Sequence, residues 1–228
     1  MPVQFEEPPE EVQLGRKEVW AEEGAGPEWV DSGNPESIPL LIRYLGGKEE
    51  VVQLGALAEF ASMGAKARPA VPAILDALRD PKSSIRLEAA ATLIHLNVQS
   101  KAAVRALSEE LKAEDGAARA RAARVIGQLV APPEVLGTSC WGPGSPPRVA
   151  RPWVGKQTLP VLVKVLEDQE PKVRAEAAHT LGLIGHTAKP AAPALTRALR
   201  DEDAAVREAA VWSLRRVDPA AVARAGVR

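Results

Sequence analysis

Catalysis needs convergent nucleophiles, imidazoles, carboxylates or thiolates, and this sequence offers few. Its histidines are His95, His179 and His186, and its one cysteine is Cys140. A single cysteine leaves no internal disulfide and no multi-cysteine zinc or iron–sulfur site. Cys140 lies in a Pro/Gly-rich stretch with no base suggested nearby, so it reads as an incidental thiol. The three imidazoles share no register and read as satisfied or solvent-facing side chains. No Gly-rich phosphate loop, nucleophile elbow or zinc-helix motif occurs. No catalytic residue, metal ligand or cofactor is therefore expected.

The polar chemistry that remains is cationic and aromatic. Arg121, Arg124, His179, Trp212, Arg215 and Arg216 form a strip concentrated in the second half of the chain. Such a strip suits an acidic peptide or protein segment, through charge-assisted hydrogen bonds and aromatic burial. A solvated helix face is the competing reading. Trp141 and Trp153, with Arg148 and Arg151, fall in the segment APPEVLGTSCWGPGSPPRVARPWVGK. They read either as a partner contact on a loop or as rings folded back onto the scaffold.

These residues must be carried by something, and the chain shows what. It has 228 residues, 46% hydrophobic and 26% charged, with a formal net charge of −1. That balance suits a globular protein and argues against a strongly basic nucleic-acid binder. No apolar run approaches the ~20 residues that span a bilayer. The acidic, polar opening MPVQFEEPPEEVQ resembles no signal or transit peptide, so a cytoplasmic location is expected.

The sequence repeats itself. Apolar anchors stand at Val52, Ile85, Ala118, Val173 and Val206, a period of 33 residues interrupted once by 55. Pro39, Pro72, Pro160 and Pro193 keep the same register, with Arg105 in the missing slot, and Gly47, Asp80, Ala113, Asp168 and Asp201 repeat the intervals. Each unit reads as two helices. The first carries Pro near its start, where a missing N–H costs nothing. The second buries offsets 0, +4, +8 and +11, as in Val173, Ala177, Leu181 and Ile184. Gly64 and Gly185 read as helix stops. The pairs Ala89-Ala90, Ala122-Ala123 and Ala177-Ala178 recur at one place and let helices approach closely.

The pattern resembles the HEAT family, in particular the short HEAT-like repeats of phycobilisome lyases. It stands most fully as Leu159-Pro160-Val161-Leu162, Asp168, Val173-Arg174, Ala177-Ala178, Leu181, Ile184-Gly185. The resemblance implies an all-α fold: a right-handed, curved α-solenoid of about five helical hairpins, second helices inward. It also implies that Asp80, Asp168, Asp201, Arg86, Arg119, Arg174 and Arg207 tie neighbouring units together. Deoxyhypusine hydroxylase resembles this repeat but follows Val-Arg with His-Glu. Here Leu87-Glu88 and Ala175-Glu176 keep the Glu without the His, so that activity is not expected.

The expected organisation is an acidic Pro/Gly-rich segment (1–36), repeats one to three (37–130), a Pro/Gly/Trp loop (131–156), repeats four and five (157–217) and a short cap (218–228). Residues 1–36 hold ten acidic and two basic side chains, and their Pro and Gly argue against regular structure. Trp20 and Trp29 are expected to cover the exposed end of the first unit. The functional expectation is a noncatalytic scaffold for a protein or acidic peptide, without a membrane. An accessory or lyase-like enzyme is the alternative. Nucleic acid comes third, because Trp212 alone offers a stacking platform within the repeats.

Overall fold

The computed structural model describes residues 16–19, 28–31, 33–80, 82–98, 100–131 and 150–226. The described residues form five helical hairpins in chain order. They are α1 (Ile38–Leu45) with α2 (Glu50–Met63), α3 (Val71–Ala77) with α4 (Ser83–His95), and α5 (Ser100–Glu110) with α6 (Gly116–Val130). After the interval come α7 (Pro152–Val165) with α8 (Pro171–Ile184), α9 (Ala192–Ala198) with α10 (Ala204–Val217), and a terminal α11 (Pro219–Arg224). The second helices α2, α4, α6, α8 and α10 pack on one another serially. The all-α solenoid is the observed architecture.

Local chemistry explains the boundaries. Pro72 and Pro193 occupy the first turn of α3 and α9. Asp115 and Asp203 cap α6 and α10, their carboxylates accepting from the N–H groups of Ala117 and Ala118, and of Ala205 and Val206. Gly64 and Gly185 end α2 and α8 at φ 56° and 67°, a backbone region costly for other residues. Each starts a seven-residue 3-10 turn leading into the next hairpin. Pro160 departs from its expected place. It lies inside α7, because that helix starts eight residues earlier, at Pro152.

The second helices are buried on more than one side. Val173, Ala177 and Leu181 are fully buried as expected, but Arg174, Ala178, Thr180, Gly182 and Leu183 are buried too. A second helix is flanked by its own partner and by second helices before and after it. Ala91 and Leu183 lie outside the offsets 0, +4, +8 and +11 that periodicity buries. Both are buried, Leu183 against the previous helix at Gly127. The alanine pairs are fully buried, as close approach requires.

Two sets of polar rungs repeat along the stack. Thr92, Thr180 and Ser213, each seven residues past its anchor, donate to carbonyls of the preceding second helix. Their acceptors are Leu57 O, Ala123 O and Ala178 O, at 3.2, 2.8 and 2.7 Å. The arginines form the other set. Arg119 grips Asp168 through Nε (2.7 Å) and Nη2 (2.8 Å), and Arg174 grips Asp201 likewise (2.8 and 2.7 Å). Nη1 of each donates to two backbone carbonyls five and six residues upstream. Arg86 has no Asp to meet, because Ala113 stands in that register. Glu110, one turn earlier, takes the guanidinium at 2.6 Å. Gln53 replaces arginine in the first unit and donates to Leu45 O.

Before the first hairpin, β1 (Arg16–Val19) pairs antiparallel with β2 (Glu28–Asp31), Lys17 opposite Val30. This corrects the expectation that residues 1–36 lack regular structure. Pro2, Pro8, Pro9, Gly24, Gly26 and Pro27 all fall outside the two strands, and Val19, Trp29 and Val30 favour extended backbone. Trp20 lies outside the described residues.

Candidate functional site

The strip expected from sequence lies on α6, α8 and α10, and the structure divides it. Three of its residues converge. The His179 and Trp212 rings stack with centroids 4.5 Å apart and 18° between planes. The Arg216 guanidinium lies 4.9 Å from the Trp212 ring, and its Nε donates to Gly182 O at 3.0 Å. Cation–π attraction and a fixed hydrogen bond thus hold the aromatic in place. Gly182 makes this possible: a Cβ there would overlap the Trp212 ring.

Burial lowers the proton affinity of His179. The Glu176 charge opposes that and the Arg216 charge adds to it, and the result lies below the ordinary 6.5. A neutral imidazole stacked on an indole is the resulting state near neutral pH.

His179 also borders an open groove of about 570 Å³ between α8 and α10, lined by Lys172, Ala175, Glu176, Asp203, Ala205 and Ala209 among others. Two of its acids are engaged. Glu176 accepts from Arg124 Nε and Nη2 at 3.1 and 2.5 Å, and the Asp203 carboxylate caps α10. Lys172 is exposed and has no partner among the described residues. Sequence reasoning missed Lys172. It lies one residue before the anchor Val173, outside the strip read from the sequence.

The remaining candidates stand apart. Arg121 is exposed, with Nη2 3.8 Å from Asp115. Arg124 is exposed, but its charge is met by Glu176. Arg215 is exposed and sits in the register of Gly127 and Gly182, the side of the helix that in α6 and α8 meets the following unit. Trp153 is not on a loop: it lies in the first turn of α7, half-buried against the core. Arg151, just before it, donates to Ile94 O and His95 O at 3.4 and 3.2 Å, capping α4. Trp141, Arg148 and Cys140 lie outside the described residues. Among the described residues, no group of three His, Cys, Asp or Glu could hold a metal ion. No helix there is long and apolar enough to cross a membrane.

Residues 152–225 match the HEAT repeat family. That stretch, α7 to α11, carries HEAT repeats. Solved structures share the fold of the described chain. An engineered protein of the Northeast Structural Genomics Consortium is 22% identical, with 83% of this chain and 85% of that one covered and a TM-score of 0.53. The complex of CpcE and CpcF of phycocyanin lyase from Nostoc sp. PCC7120 matches at 20% identity, with 79% and 99% covered and a TM-score of 0.53. A designed armadillo repeat protein in complex with the peptide (KR)4 matches at 19% identity, with 82% and 88% covered and a TM-score of 0.50. No curated protein matches the chain.

Proposed function

We propose that this protein is a noncatalytic scaffold that takes an acidic segment of a protein partner across α8 and α10, at Lys172, His179, Trp212 and Arg216, with Arg121 on α6 extending the contact. The observation that carries the reading is the His179–Trp212–Arg216 stack beside an open groove. A part-buried aromatic held rigid by its neighbours is the kind of anchor that dominates interfaces. Glu176 is paired with Arg124 and Asp203 caps α10, so Lys172 is the lining charge left to meet an acid, with Arg216 beside Trp212. Two neighbours of this fold support a protein or peptide partner: one was solved with a peptide, the other as a complex of two chains.

A peptide array of graded charge tests this. The protein should retain peptides containing Asp and Glu. The double variant Lys172→Glu, Arg121→Glu should release them with an unchanged melting midpoint. Equal retention by the variant, or retention without charge preference, defeats the reading. The lyase-like alternative draws on the phycocyanin lyase neighbour. A shift in the visible absorbance of an added open-chain tetrapyrrole would favour it.

A further inference from the structure

The ladder of arginine forks closes at Arg86, Arg119 and Arg174, and it ends open at Arg207. Arg207 Nη1 donates to Asp201 O and Glu202 O, both at 2.8 Å, the same two upstream carbonyls that anchor Arg119 and Arg174 in their own units. That anchoring sets the plane of the guanidinium. In Arg119 and Arg174 the Nε and Nη2 edge then grips the carboxylate of the following unit. In Arg207 that edge has no acceptor among the described residues, although the side chain is half-buried.

We infer that Arg207 is a docking point for an acidic loop of a partner protein, whose Asp completes the open rung. The chain itself displays the chemistry required. The loop that closes Arg174 is Asp201-Glu202-Asp203, with Asp201 in the fork and Glu202 Oε1 3.4 Å from Nη2. The loop that closes Arg119 is Asp168-Gln169-Glu170, with Glu170 3.6 Å away. The matching partner loop carries an Asp followed one or two residues later by a second acid, as between the helices of another repeat hairpin. Bidentate pairing needs the planar fork of arginine, and a fork already held by two carbonyls loses little freedom on binding. Arg207 does not line the groove between α8 and α10, so this inference stands independently of what the groove binds.

The test is NMR of arginine Nε–H groups in the full-length protein. In the free protein, the Arg119 and Arg174 signals should exchange slowly and that of Arg207 fast. The probe is a peptide copying residues 198–205, Ala-Leu-Arg-Asp-Glu-Asp-Ala-Ala. Its addition should shift the Arg207 signal saturably and leave Arg200 unmoved. The same peptide with Asp201→Asn, or the protein variant Arg207→Lys, should bind about tenfold or more weakly, because a charged hydrogen-bonded fork is lost. Three results overturn the inference. The Arg207 signal is protected in the free protein at every dilution, so the chain closes its own rung. Protection appears only at high protein concentration, so a second copy is the occupant. Arg207→Lys binds the peptide equally, or Arg200 shifts as much, so the attraction is undirected charge.

Discussion

Gly182 shows how one residue governs the candidate site. Its missing side chain admits both the Trp212 ring and Ser213, whose Oγ would lie 2.6 Å from an added Cβ. Gly182→Ala therefore overpacks a contact that has no slack, at a cost of about 1–3 kcal/mol. The melting midpoint should fall, and near-ultraviolet circular dichroism should lose the signature of the stacked Trp212. A variant with unchanged midpoint and spectrum would contradict this packing. Little of this was legible beforehand. In the sequence Gly182 is a small residue within a helix, and its meaning depends on a ring that arrives 30 residues later. Thr92, Thr180 and Ser213 were legible in principle, since they keep the repeat interval. Their short polar side chains carry no signal until a neighbouring carbonyl is in reach.

At the scale of elements, the arginine rungs join hairpin to hairpin. The Arg174 and Asp201 side chains are 9% and 12% exposed, so the pair is shielded from water. Asp201→Ala leaves a buried guanidinium without its counter-charge. The expected cost is about 3–5 kcal/mol, read as a lower urea midpoint. The same rungs set an acid response. Hydrogen bonds from Arg174 hold the Asp201 carboxyl below its ordinary 3.8, against burial and with help from the Asp203 amide. For Asp168, burial pushes upward, but the Arg119 hydrogen bonds, the Glu170 amide and nearby arginine charges outweigh it. Unfolded chains take up these protons first. The rungs therefore contribute fully above 3.8 and lose their contribution as pH falls below it through the lowered folded values. Urea midpoints measured from about pH 5 down to about pH 2 should drop in that window, less steeply for Asp201→Asn. A slope unchanged by Asp201→Asn would remove the rung as the cause.

Over the whole molecule, stability should be close to a sum of hairpin and interface contributions, since among the described residues each second helix packs mainly on the ones before and after it. Leu181 is fully buried in the fourth unit. Leu181→Ala should cost roughly 2–5 kcal/mol. Hydrogen exchange should quicken in α7, α8 and the flanking units while α1 and α2 keep their protection. Uniform quickening along the chain would show a single cooperative core instead of a serial stack.

The sequence by itself determined the paired helices, their interval of 33 residues and their serial order. Those follow from helical periodicity, alanine pairs and proline placement, all properties of neighbouring residues along one chain. It also pointed to the arginines that bind units together. Only the tertiary structure decided which charges remain available. Arg124 is met by Glu176, 52 residues away; Arg86 finds Glu110 where the pattern lacks an Asp; Arg207 holds the same posture with its fork open. Whether an ionic group is spent or offered depends on distances of a few ångströms between different helices. Those distances are set by how closely the helices pack, which no local pattern encodes.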